Sequence, residues 1–162
     1  MTFFKNIKIQ NADCQMIITI SPVRHIRDGL LENQKSKAIL QLAIAEICEQ
    51  LDFVHYFPAY EIMMDDLRDY RFYEADMIHP NQVAIDYIWQ QFQSSFFKEN
   101  TQLLNQKIEK IIAATQHRPF HSQSVAHQQF IVKQLENLEK LATNYPFLNL
   151  KNEREIFQQQ KK

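Results

Sequence analysis

Gly29 is the only glycine in this 162-residue chain, where average usage would be roughly 7%. Folds that grip phosphate through P-loops or dinucleotide fingerprints need several closely spaced glycines, so nucleotide binding of that kind is excluded. Basic excess is missing as well. The formal net charge is −1, which gives a nucleic-acid partner no electrostatic footing. No apolar run approaches the about 20 residues of a spanning helix, so no membrane partner is expected. The amino end, Met1-Thr2-Phe3-Phe4-Lys5-Asn6, lacks the apolar centre of a signal peptide, and the expected localisation is cytoplasmic. Cysteine is sparse: Cys14 and Cys48 lack metal-ligand spacing, and Cys48 falls in the apolar series Ile44, Ile47, Leu51, where a small core residue is expected. No cofactor is expected. A glycine-flanked serine, the usual setting of a hydrolase nucleophile, is also missing.

What is present suits one ordinary globular core, with 45% hydrophobic and 23% charged residues. Met16 to Ile20 is a short, β-branched apolar run ended by Ser21-Pro22, predicted to be a strand buried in a covered parallel sheet. Apolar positions from Asn33 to Leu51 (Ile39, Leu40, Ala43, Ile44, Ile47, Cys48, Leu51) recur every three or four residues and predict an amphipathic helix. Phe53 to Phe57 is a second predicted strand, stopped by Pro58. Strand, helix and strand with short links make a βαβ unit, and the fold class is α/β. Pro80 to about Phe97 predicts a helix bearing Val83, Ile85, Ile88, Trp89, Phe92 and Phe96, with a break near 98–101 before Leu103, Leu104, Ile108, Ile111 and Ile112. Ser122 or Ser124 is the candidate N-cap of another helix, which runs to Tyr145-Pro146. The tail from Lys151 has little to bury and is expected to fray. Two strands are too few for a stable sheet, so an amino-terminal half or self-association is the expected partner. The first fifteen residues resemble the end of a helix begun further upstream.

Chemistry concentrates in Asp76-Met77-Ile78-His79-Pro80. Pro80 as first helical residue would put His79 at the N-cap, where the positive helix end disfavours imidazolium. Asp76 could then accept the Nδ1 proton and fix the tautomer, as the aspartate of a hydrolase triad does. The bland alternative is an Asp76 that caps the helix beside a solvated His79. Ligands of open α/β sheets sit at the carboxyl ends of the strands. The segments leaving those ends bring Arg24, His25, Tyr60 and Glu61 toward Asp76 and His79 as candidate substrate-binding residues. Arg24 could fork onto a carboxylate or phosphate, or pair with Asp28, Glu61 or Asp65-Asp66. A metal held by His25, His55, Asp76 and His79 lacks ligand spacing, and no metal is expected. Asp65 to Arg71 reads as a solvated, self-paired loop.

Four blocks in order, Ile18 to His25, Asn33 to Ala38, Tyr56 to Ile62 and Asp76 to Pro80, resemble the carboxyl-terminal half of the GSCFA family, related to SGNH/GDSL hydrolases. The likeness covers roughly residues 10 to 147. It implies a partial flavodoxin-like (SGNH-type) three-layer sandwich with a carboxyl-terminal helical hairpin: residues 1–97 as the carboxyl-terminal part of the α/β domain, 98–150 as the hairpin and 151–162 as the frayed tail. It also implies an ester or other small-molecule acyl substrate, with Asp76 and His79 as the closing block of a catalytic triad. The family's Gly-Ser-Cys-Phe-Ala segment has no counterpart here. Ser21 precedes a proline and Ser36 lies in a helix start, so the nucleophile is placed on neither, and the chain is expected to be a fragment that is nearly inert alone. The rival reading is a non-catalytic helical module that binds a partner protein.

Overall fold

The computed structural model describes residues 2–121 and 123–161, and they form two compact units, Met1–Phe96 and Phe97–Lys162. In the first, helix α1 (Thr2–Gln10) leads to strand β1 (Met16–Thr19), helix α2 (Leu30–Gln50), strand β2 (Val54–Phe57), helix α3 (Ala59–Met64) and helix α4 (Gln82–Phe96). β1 and β2 are parallel, in register Met16↔Val54 to Thr19↔Phe57, the pairing a helical crossover imposes. The sheet has these two strands among the described residues.

The expected burial of the first strand holds only on one side. Ile17 is 44% exposed while Val54 and Phe57 of β2 are buried, because Leu51, Phe53 and Val54 collect Phe4 of α1 and Ile47 of α2 on one face. Cys48 packs against that same cluster, as a small apolar residue does.

Helix α2 begins three residues before the expected Asn33, and Gly29 explains the start. Its φ of 91° lies where side chains are strained and glycine is not. Its carbonyl accepts the Asn33 amide at 3.1 Å. The helix does not turn its apolar residues uniformly inward: Ile39 and Leu40 are exposed, while Asn33 and Lys37 are buried. Those two polar groups can be buried because backbone partners meet them in the loop after β1.

Helix α4 starts at Gln82, two residues after the expected Pro80. Asn81 caps it, its Oδ1 accepting the Ala84 amide at 3.2 Å and its carbonyl the Ile85 amide at 3.0 Å. Pro80 instead bridges to Tyr73 in an antiparallel pair. Met63, Leu67, Tyr73 and Ala84 form the second buried cluster of this unit and tie α3, α4 and the Tyr70–Phe72 3-10 turn together.

Among the described residues the second unit contains three helices, α5 (Glu99–Thr115), α6 (Val125–Asn144) and α7 (Lys151–Gln160). Ser124 caps α6, accepting the His127 amide at 3.2 Å; Ser122, the other candidate, lies outside the described residues. The expected frayed tail is corrected. Residues 151–160 are helical because Phe157 is fully buried with Ile111, Ile131, Leu138 and Leu141, and Arg154 meets Glu139 at 2.8 Å. One aromatic anchor orders a segment that is otherwise polar, so the expected hairpin is a three-helix unit.

Candidate active site

Asp76 and His79 sit on a loop closed by the Tyr73↔Pro80 bridge. The Glu74 amide donates to the His79 carbonyl at 2.8 Å and the Asn81 amide to the Phe72 carbonyl at 2.9 Å. Inside it, Asp76 Oδ1 accepts the amides of Ile78 (2.8 Å) and His79 (3.1 Å), while Oδ2 meets His79 Nδ1 at 2.7 Å. A carboxylate only accepts, so Nδ1 carries a proton, and in the neutral ring the lone pair is therefore on Nε2. Nε2 bonds to no described residue, and the ring is 58% exposed. The His79 hydrogen bond first, then the two backbone amides, pull the Asp76 carboxyl down to about 2. His79 is therefore not at a helix N-cap, as the later start of α4 shows. Asp76 sets its tautomer, and the effect expected of a helix end on the ring falls away.

Met77 lies between the pair with φ of 60°, a left-handed conformation that costs a non-glycine residue about 1 kcal/mol. Arg24 holds it there. Its backbone amide donates to the Ile78 carbonyl (3.2 Å) and its Nη1 to the Met77 carbonyl (2.9 Å), across 53 residues in the second case. The guanidinium also lies 4.2 Å from the Tyr73 ring centre and 5.4 Å from that of Tyr70. None of the carboxylate partners weighed for Arg24 engages it.

The remaining candidates make contacts of their own. His25 is exposed, with Nε2 at 4.0 Å from Asp28. Tyr60 donates its hydroxyl to Gln34 at 2.9 Å, and burial, the largest cause, pushes that hydroxyl above its ordinary range. Glu61 accepts the Tyr56 hydroxyl at 2.8 and 3.0 Å and the Gln41 amide at 2.8 Å. Burial, and then the Glu61 hydrogen bond, drive the Tyr56 hydroxyl far upward. Among the described residues no hydrogen bond joins Tyr60 or Glu61 to Asp76 or His79. His55 pairs with Gln15 at 2.9 Å, and no three described His, Cys, Asp or Glu residues are grouped to share a metal ion. In the Asp65–Arg71 stretch Arg68 meets Asp65 at 2.7 Å, Arg71 lies 3.9 Å from Asp69, and Asp66 takes the Tyr87 hydroxyl.

Two further residues, Asn33 and Lys37, position the site. Asn33 Oδ1 accepts the His25 amide at 2.8 Å, and Lys37 Nζ donates to the carbonyls of Ser21 (2.5 Å) and Val23 (3.1 Å). Burial lowers the pKa of that lysine. Together they fix the loop that delivers Arg24. Both fall in the Asn33–Ala38 block, the one sequence signal that pointed to them. Pro80, next to His79 in sequence, lines an apolar groove of about 440 Å³ together with Pro22, Phe57, Ile88, Trp89 and Phe92.

The first unit is thus an α/β unit presenting an aspartate-oriented histidine, joined in sequence to a helical unit. Residues 1–92 match the model of the GSCFA family, and residues 108–162 match that of the GSCFA domain protein C-terminal domain. The chain belongs to the GSCFA family. No curated protein and no solved structure matches it. No helix among the described residues is long and apolar enough to cross a membrane.

Proposed function

We propose that this chain supplies the general base and its orienting carboxylate to a cytoplasmic hydrolase of acyl esters, with the parallel β1–β2 pair as part of a flavodoxin-like sandwich related to that of SGNH enzymes. One observation carries the reading: the 2.7 Å Asp76–His79 contact leaves Nε2 as an open proton acceptor. In that role Nε2 takes the proton of the attacking hydroxyl and returns it to the leaving alcohol, while Asp76 stabilises the imidazolium formed in between. The apolar groove running from Pro80 has the character an acyl chain requires. No serine here has nucleophile context, so the serine and the oxyanion donors come from residues outside this sequence, and the chain acts as the base-bearing fragment of the complete site.

Hydrolysis of short p-nitrophenyl esters tests this in a polypeptide that joins these residues to a serine-bearing GSCFA segment. His79→Ala is expected to lower kcat by about 10² to 10⁴, and Asp76→Asn to lower it as well through the wrong tautomer. Unchanged kcat in His79→Ala removes the histidine from the mechanism. The self-contained core around Phe157 favours a second role for residues 97–162 alone, that of a helical protein-interaction module. Deleting that unit without loss of turnover would support it.

A further inference from the structure

Tyr73 is 8% exposed, and its hydroxyl is sealed from solvent with no partner among the described residues. An orphaned buried hydroxyl costs about 1–3 kcal/mol, so its persistence calls for an acceptor. Tyr73 lines a cavity of about 210 Å³ together with Leu67, Tyr70, Arg24, Arg68 and Asp69. The charges around it do not cancel. Arg68 is taken by Asp65 at 2.7 Å, and Asp69 by Arg71, whose amide donates to Oδ1 at 2.9 Å. Arg24 has five N–H donors, of which one is committed, to the Met77 carbonyl, and it has no carboxylate partner among the described residues. The cavity therefore offers an uncompensated guanidinium and, behind its wall, a buried O–H that a shift of the Tyr73 ring would bring to it, both lacking an acceptor that carries negative charge.

We propose that this cavity binds a compact oxyanion, a carboxylate or a phosphate, between Tyr73 Oη and the free edge of Arg24, and that this anion belongs to the substrate of the Asp76–His79 pair. The proposal deepens the hydrolase reading and rests on it for its purpose. The connection is short. Tyr73 lies three residues before Asp76, and Arg24 grips the carbonyls on either side of the Met77–Ile78 bond. An anion that orders Arg24 thereby orders the loop bearing the base, so the substrate class is an ester with an acidic group near the scissile bond.

Acetate and inorganic phosphate, titrated separately into the ¹⁵N-labelled chain, test binding without reference to turnover. Saturable amide shifts at Arg24, Tyr73 and Ile78 are expected with at least one of them; acetate alone assigns a carboxylate substrate, phosphate alone a phosphorylated one. Tyr73→Phe should weaken binding roughly tenfold to a hundredfold, as for a hydrogen bond to a charged group, and Arg24→Gln should abolish it. Absence of saturable shifts with either anion, or shifts that survive both Tyr73→Phe and Arg24→Gln, overturns the proposal. If Arg24→Gln fails to fold, Arg24→Lys, which keeps charge but loses the fork, takes its place beside Tyr73→Phe. Anion binding in a protein that never hydrolyses an ester sinks the hydrolase reading and leaves the anion site standing. Hydrolysis without anion binding does the reverse.

Discussion

Replacing Lys37 by methionine should loosen the loop that carries Arg24 while leaving the rest of the protein intact. Methionine retains the unbranched stem and therefore the packing along α2. It removes two charge-assisted hydrogen bonds, to the Ser21 and Val23 carbonyls, each contributing about 1.5–3 kcal/mol. Against that loss stands the relief of no longer burying an ammonium group, whose desolvation is what lowers the lysine's pKa. The net cost is about 1–3 kcal/mol, concentrated in residues 21–25. Each 1.4 kcal/mol is tenfold in an equilibrium, so local opening becomes roughly 5- to 150-fold more frequent. Amide hydrogen exchange reads this directly. The Arg24 amide, which donates to the Ile78 carbonyl, and the His25 amide, held by Asn33, should lose protection by that factor. The Ile131 amide in α6 should not change. Unchanged protection at Arg24 and His25 would show that Lys37 does not hold this loop and would break the link drawn from α2 to the Asp76–His79 pair.

The acid limit of the Asp76–His79 contact should be set by Asp76. Its folded pKa, about 2, lies below its ordinary value; the stabilisation is present above that ordinary value and disappears as pH falls through about 2. The carboxyl ¹³C resonance should titrate near pH 2, and higher in His79→Ala; a midpoint at the ordinary value in the unsubstituted protein would mean that the contact is not formed in solution. Phe157→Ala should cost about 3–5 kcal/mol, the usual penalty for emptying a buried aromatic site. That is comparable to the whole stability of so small a unit at about 0.05–0.15 kcal/mol per residue, so urea unfolding should find residues 97–162 largely melted. A loss below about 1 kcal/mol would return the tail to a frayed segment.

Most long helices were legible because their apolar periods agree with what they bury. Ile111 in α5 and Ile131, Leu138 and Leu141 in α6 are buried, and Ser124 marks the start of α6 by its cap. The parallel strand pair was legible too, from a short β-branched run and a short aromatic-rich one, each followed by a proline. Helix α7 was not, since nine of its ten residues are polar or half-exposed and its order depends on Phe157 alone. The start of α4 was misplaced because proline suits both a first helical turn and an edge bridge, and Asn81 next door is the better cap. Helix α2 misled in another way. Its apolar residues are spread around the helix, so periodicity could not reveal that Asn33 and Lys37 are the ones turned inward.

The same division runs through the site. Asp76 and His79 are three residues apart, and the contact between them is made within a single loop, so residue types and spacing are enough to suggest it. What aims the pair is long-range and speaks through the backbone. Arg24 bonds to the carbonyls of Met77 and Ile78, atoms every residue has, and Lys37 bonds to the carbonyls of Ser21 and Val23. Such contacts leave a residue-type signature only at the donor, which is why a buried lysine on an apolar helix and an arginine after a strand are the traces available. The left-handed Met77 gives the arrangement its logic. A conformation costing about 1 kcal/mol persists because two donors from Arg24 engage the carbonyls around it, so the geometry of the base depends on a residue more than fifty positions away. Substitution at Arg24 should therefore act on the orientation of His79 as well as on any anion held beside Tyr73, and its effect on kcat should exceed that expected of a residue that only binds substrate.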